Sequence, residues 1–360
     1  MLNNTHTAYI GTYTRSEGHV DGKAEGIYRV EMDHSTGKIT AQQTVAEIIN
    51  PSFLSLSKDQ SHLYAVSELA REDEPTGFLY HYKIVADSLQ LVDRFPTDGQ
   101  APCHLGQDQS GQYIFVTNYF GGKLKVFKLG EDDKLKDIQR IQLEGSSVHP
   151  QQTAPLLHST QASPDNQYIA VADKGSDKIW LFTIDEKQEQ LVAHTQPFVA
   201  VQAGAGPRHM AWSADGQFLY VINELDNTIA VIQYETADQR FSLVQVISTL
   251  PEDYAASSYC ADLHLHPNGK FLYGSNRGHN SIAIFSVDAE NGKLTSLGFE
   301  STRGEYPRNF SISPNNKLLL VANQNTSNIT SYQIGVDGKL TYLDLDYEIG
   351  TPVCIEYVDK

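Results

Sequence analysis

Arginine follows proline twice in this sequence, at Pro207-Arg208-His209 and at Pro307-Arg308-Asn309, and a third arginine, Arg277, ends the run FLYGSNR. A guanidinium grips phosphate or carboxylate through two parallel hydrogen bonds, so three of them brought together would hold a small anion. Glu68, Lys174 and Glu224 each follow a similar apolar run, while His104, His158 and His209 lie near the start of another. A carboxylate and imidazoles among arginines suit proton transfer. If the fold gathers these nine residues, the chemistry they favour is metal-independent acid–base opening of a small anionic ester or lactone. Signatures of other chemistries are missing. There is no GxSxG, HExxH, P-loop or dinucleotide fingerprint, and the glycines at Gly204 and Gly206 open a strand rather than a helix. No ligand spacing supports a metal, and no cofactor is implied.

The elements that must position these residues come from an internal repeat. A Ser or equivalent, a Pro/Asp/Gly turn and an LYV-like run recur as LSKDQSHLYAVS, QDQSGQYIFVTN, ASPDNQYIAVAD, WSADGQFLYVIN, LHPNGKFLYGSN and ISPNNKLLLVAN. Their anchors are Ser57, Asp108, Ser163, Ser213, His266 and Ser313, about 51 residues apart on average. A chain of 360 residues holds about seven such units. Each unit reads as four short strands separated by polar turns, with no 3.6-residue period. Four-stranded units repeated seven times predict an all-β, seven-bladed β-propeller, a single domain over residues 1–360. The seventh blade must be assembled from both ends: Tyr9–Thr14 reads as a second strand and Thr351–Val358 as the missing innermost one.

Topology then sorts the nine residues. The first strand of a blade leaves one face and the second returns to it, so first-strand starts and second-strand ends share a rim near the axis. Arg208, Arg277, Arg308, Lys174, Glu68, Glu224, His104, His158 and His209 all fall on that rim. The longest irregular loops, Ala70–Gly77, Gly145–Pro155 and Leu250–Tyr259, are expected there too and could wall a pocket. The same residue types also serve as Arg–Glu pairs that hold blades together around a wet axis. His81, His149 and His194 read as surface or packing residues, and Cys103, Cys260 and Cys354 as buried, inert thiols.

Composition narrows the partners. The formal charge is −17, which disfavours a nucleic-acid backbone but not a small anion that senses only the local field. No apolar run is long enough to span a membrane, and the N-terminal stretch MLNNTHTAYIGTYT lacks the basic and apolar regions of a signal peptide. Three widely separated cysteines suit a reducing, cytoplasmic setting. A monomer or weak dimer is expected.

The longest phrases carry a resemblance. GAGPRHMAWSADGQFLYVINE, CADLHLHPNGKFLYGSNRGHNSIAIF, PRNFSISPNNKLLLVANQNTSNI, LHSTQASPDNQYIAVAD and the opening YIGTYT resemble the seven-bladed propeller lactonases of the 6-phosphogluconolactonase type. The carboxy-cis,cis-muconate cyclases are similar in fold. The resemblance covers essentially the whole chain. It implies a pocket built on His158, Arg208, Glu224 and Arg277, with Glu224 or His158 handling protons and the two arginines holding the anion and its developing oxyanion. The remaining rim residues, His104, His209, Arg308, Lys174 and Glu68, are expected from their shared rim, not from the resemblance, to contact substrate. The implied reaction is hydrolysis of 6-phospho-D-glucono-1,5-lactone. Hydrolysis of another lactone, a muconate-type lactonisation and a non-catalytic, protein-binding propeller also remain open.

Overall fold

The recurring Ser anchors explain why the strands turn where they do. The Ser213 hydroxyl donates to Asp215 and accepts the Phe218 amide, at 2.6 and 2.9 Å, which closes the hairpin between the first two strands of its blade. Ser57, Ser163 and Ser313 repeat both contacts. Where the anchor is Asp108, its own carboxylate accepts the Tyr113 amide at 2.8 Å. The side chain thus replaces a backbone partner in a tight turn, the habit of Ser and Asp.

The computed structural model describes residues 5–358. The first four residues, on which the leader reading partly rests, lie outside them. The described residues contain strands and no helix, arranged as seven four-stranded antiparallel sheets and one two-stranded hairpin. Six blades are continuous, at 54–96, 100–142, 157–200, 207–248, 259–301 and 307–348. The remaining blade joins Thr5–Thr12, Ile27–Asp33 and Ile39–Ala46 to the closing strand Pro352–Val358, which lies innermost. The expected seven-bladed propeller and its closure by the two ends are therefore what the chain forms.

Apolar layers pack between neighbouring blades. Leu219, Val221, Ala230 and Ile232 of one blade meet Ala170, Ala172 and Leu181 of the preceding one, all fully buried. Two-faced burial explains why the second strands read as unbroken apolar runs, such as FLYVIN at Phe218–Asn223. The polar residues that end the runs are buried and hold neighbouring connections: Asn276 Nδ2 donates to the Thr249 carbonyl and Asn323 Nδ2 to the Thr302 carbonyl, at 2.7 and 3.2 Å.

The inner strands carry the feature that aims the site. In five of the seven the pairing skips one residue, between Pro102 and His104, Leu157 and Ser159, Pro207 and His209, Pro307 and Asn309, and Pro352 and Cys354, and in a sixth it skips two, between Cys260 and Leu263. Each is a β-bulge, which leaves the skipped residues outside the ladder and redirects their side chains. The skipped residues include Cys103, His158, Arg208 and Arg308.

Candidate active site

Over one end of the axis lies a cavity of about 330 Å³. Its lining includes His158, Lys174, Glu224, Arg277, Arg308 and Glu68. The three long loops reach it, through Ala70, Gln151 and Tyr259. Arg208 lies just beneath, 2% exposed, and touches the site through Glu224. His104 and His209 differ from the rim reading. They line a second cavity on the same axis, with Asp262, His264 and Asn309. The bulges are the reason: each redirects Cys103 or Arg208 toward one end of the channel and leaves the next residue facing the other.

Glu224 is the centre of charge. Its Oε1 lies 2.6 Å from Lys174 Nζ, and its Oε2 lies 2.9 Å from Arg277 Nη2 and 3.2 Å from Arg208 Nε. Burial would raise its pKa, but Arg277, Lys174 and Arg208 outweigh burial and hold it well below the usual carboxylate range. Glu224 is thus the shared counter-charge of three cations. Arg208 is itself pulled down to about 10 by burial and the neighbouring arginines. Its Nη1 donates to the Ala261 carbonyl at 2.5 Å, which ties it to the next blade.

His158 lines the same cavity. Burial, helped by Arg208, His209, Arg308 and Lys174, pushes its pKa well below the ordinary histidine value. The ring is therefore neutral at physiological pH and keeps a lone pair. Its Nδ1 is buried and has no hydrogen-bond partner among the described residues.

Lys174 is placed by its neighbours in sequence. Asp173 accepts the amides of Leu156 and Gly175, at 2.9 and 3.0 Å. Asp177 accepts the amides of Gly204 and Gly206, at 2.6 and 2.7 Å, and the Gln152 side chain at 2.6 Å. The glycine-rich run thus wraps a carboxylate of the protein. From this turn Lys174 Nζ reaches Tyr119 Oη at 2.9 Å as well as Glu224. A β-carbon at Gly175 would collide with the Ala154 carbonyl oxygen. Gly175→Ala is expected to cost about 1–3 kcal/mol in urea unfolding and to raise KM by displacing Lys174.

The aromatic lining was not singled out in the sequence. Tyr119, Tyr259 and Tyr306 face the cavity, and Arg277 lies over the Tyr306 ring, 5.2 Å from its centroid. His19 also lines it, from the small hairpin Ser16–Glu17 and Val20–Asp21. That hairpin is outside the repeat, so no periodic signal pointed to it. The three cysteines are buried and unpaired. Burial pushes the Cys103 and Cys260 thiols up to about 12, which removes the thiolate a nucleophile needs.

Formal charges in and under the cavity are four positive (Lys174, Arg208, Arg277, Arg308) and two negative (Glu68, Glu224), a surplus of two positive charges. A closed ring of seven four-stranded blades with a cation-rich cavity over one end of its axis defines the chain as a seven-bladed β-propeller with a polar axial pocket. Within that class, the chain belongs to the family described as lactonase, 7-bladed beta-propeller, which it matches over residues 7–357. It is 29% identical over 360 residues to a protein named 6-phosphogluconolactonase from Bacillus subtilis (strain 168), covering 99% of both chains. A protein of the same name from Formosa agariphila is 33% identical over 341 residues, covering 93% of this chain and 94% of its own. Among solved structures, the periplasmic gluconolactonase of Pseudomonas aeruginosa superposes with a TM-score of 0.91 at 30% identity, covering 98% of this chain and 99% of that one.

Proposed function

We propose that this chain hydrolyses 6-phospho-D-glucono-1,5-lactone to 6-phosphogluconate, a step of the pentose phosphate route. The observation that carries the reading is the surplus of positive charge around a clamped Glu224. It suits a substrate that brings a phosphate and develops a further negative charge at its carbonyl. His158 takes a proton from water, whose oxygen adds to the lactone carbonyl. The oxyanion faces Arg277 and Lys174, and collapse breaks the ring C–O bond. The ring oxygen takes that proton back from His158 and leaves as a hydroxyl, and the new acid releases its remaining proton to solvent to become the carboxylate. Glu224 keeps the two cations in place, and Arg208 supports Glu224 from below.

The site is built from one chain within a ring that closes on itself, which supports one domain and requires no second copy. Three unpaired, buried thiols support a reducing, cytosolic setting. The likeness to a gluconolactonase favours a second reading, in which the lactone carries no phosphate.

The deciding experiment is the hydrolysis rate of 6-phospho-D-glucono-1,5-lactone and of D-glucono-1,5-lactone, each above its spontaneous rate. Catalysis with preference for the phosphorylated lactone is expected. Preference for the unphosphorylated one would favour the second reading, and background rates with both would sink the lactonase assignment.

A further inference from the structure

Arg308 stands apart from the other cations of the pocket. Arg277 and Lys174 are both committed to Glu224, but the Arg308 guanidinium makes no ion pair among the described residues. It lies against the face of Tyr13, 5.4 Å from the ring centroid. Tyr13 is fully buried, and its hydroxyl donates to Glu68 Oε2 at 2.9 Å. Glu68 and Glu224 act on Arg308 through their charge, but neither forms an ion pair with it.

His19 meets the same tyrosine. Its ring packs edge-on to Tyr13, 5.5 Å between centroids, with Nε2 3.5 Å from Tyr13 Oη. The hairpin that carries it is braced. Arg15 pairs with Glu17 and, at 2.7 Å, with Glu74. Arg71 pairs with Glu17 at 3.1 Å and donates to the Ser16 carbonyl at 2.7 Å. Asn50 Nδ2 donates to Glu17 Oε1 at 2.9 Å. A two-residue tip, Gly18 and His19, is thus held at the pocket by partners from two other loops. Such bracing exceeds what a free surface turn needs.

We propose that Arg308 and His19, joined through Tyr13, form the subsite for the substrate's phosphate, and that His19 is a specificity-determining residue selecting phosphorylated over unphosphorylated lactones. This rests on the reading of the chain as a lactonase for a phosphorylated substrate. Arg308 supplies a fixed charge and a planar fork for two phosphate oxygens. His19 adds a titratable donor beside it. The Glu224 cluster remains the reacting end, so the two ends of one substrate are held by separate cation sets.

The pH dependence follows from what faces His19. Burial and Arg308 hold its pKa below the ordinary value, Arg277 acts in the same direction, and Glu68 and Glu17 oppose them. Without ligand the ring is therefore neutral at pH 7. A phosphate favours the protonated ring, so binding must raise the pKa and draw in a proton. His19 then strengthens binding increasingly as pH falls. The phosphate's own second ionisation, near pH ~6, works the other way. Comparison with a His19→Gln enzyme isolates the histidine, because both proteins see the same substrate.

The experiment measures KM for the two gluconolactones in wild type, His19→Gln and Arg308→Gln. It also follows the His19 ring protons by NMR while 6-phosphogluconate or gluconate is added. His19→Gln should raise KM for the phosphorylated lactone about tenfold, and Arg308→Gln by more, with a smaller rise for the unphosphorylated one. The pKa of His19 should rise with 6-phosphogluconate and stay put with gluconate. Equal changes for both lactones, or a His19 signal indifferent to 6-phosphogluconate, overturns the subsite. His19→Gln, at the tip of a two-stranded hairpin outside the blades, keeps the test decisive if the Arg308 variant does not fold. A wild-type protein without activity, whose His19 still titrates with 6-phosphogluconate, would instead overturn the catalytic reading and leave the subsite standing.

Discussion

Replacing Glu224 by glutamine is expected to lower kcat/KM by about 10²–10³-fold, because the groups awaiting the oxyanion lose the charge that holds them. The same change leaves Lys174, Arg277 and the deeply buried Arg208 without their counter-charge. Breaking a buried ion pair from one side costs about 3–5 kcal/mol, so the variant should also unfold at lower urea. The pH dependence separates this from a general loss of packing. Glu224 has a folded pKa far below its ordinary 4.5, so its contribution is present above about that pH. It is lost as pH falls from there toward the folded value. The stability gap between wild type and Glu224→Gln should therefore be constant through neutral pH and close only in strong acid. A gap that widened on acidification would contradict the clamp.

His158→Ala should lower kcat by about 10²–10⁴-fold, the range of a lost general base, with KM much less affected. A base must be unprotonated to act, and His158 has a pKa held well below 6.5 by burial and the surrounding cations. Wild-type kcat/KM should thus stay flat through neutrality and fall only in acid, as the imidazole takes up its proton. The variant should lose that limb along with the rate. A His158→Ala enzyme that kept the wild-type acid limb would assign the base elsewhere.

These two residues show what the sequence could disclose. The ring was legible because every blade repeats one solution: a Ser or Asp that closes a hairpin, as at Ser213, then an apolar run buried on both faces, as at Leu219–Ile222. The rim was legible because chain direction alone puts the ends of second strands beside the starts of first strands. The direction of neighbouring side chains was not legible. Arg208 and His209 are adjacent, yet one serves the cation-rich cavity and the other the cavity lined by Asp262. A one-residue bulge decides between them, and no residue type announces it. The protonation of Glu224 was equally hidden, since it depends on distances to Lys174 and Arg277 from two other blades. His19 lay outside every repeat, so periodicity had nothing to say about it.

The closing strand also sets an order of events during synthesis. Pro352–Val358 pairs with Thr7–Thr12, so the first blade to leave the ribosome waits for the last strand described. At about 5–20 residues per second, that interval is on the order of twenty seconds to a minute. Throughout it, the inner edge of the first blade offers unpaired amides and carbonyls to any passing strand. Tyr13, which Arg308 and His19 share, follows directly on that waiting edge. Nascent chains stalled before Pro352 should therefore hold most blades yet lack a finished cavity, and they are the species a chaperone would be called on to shield.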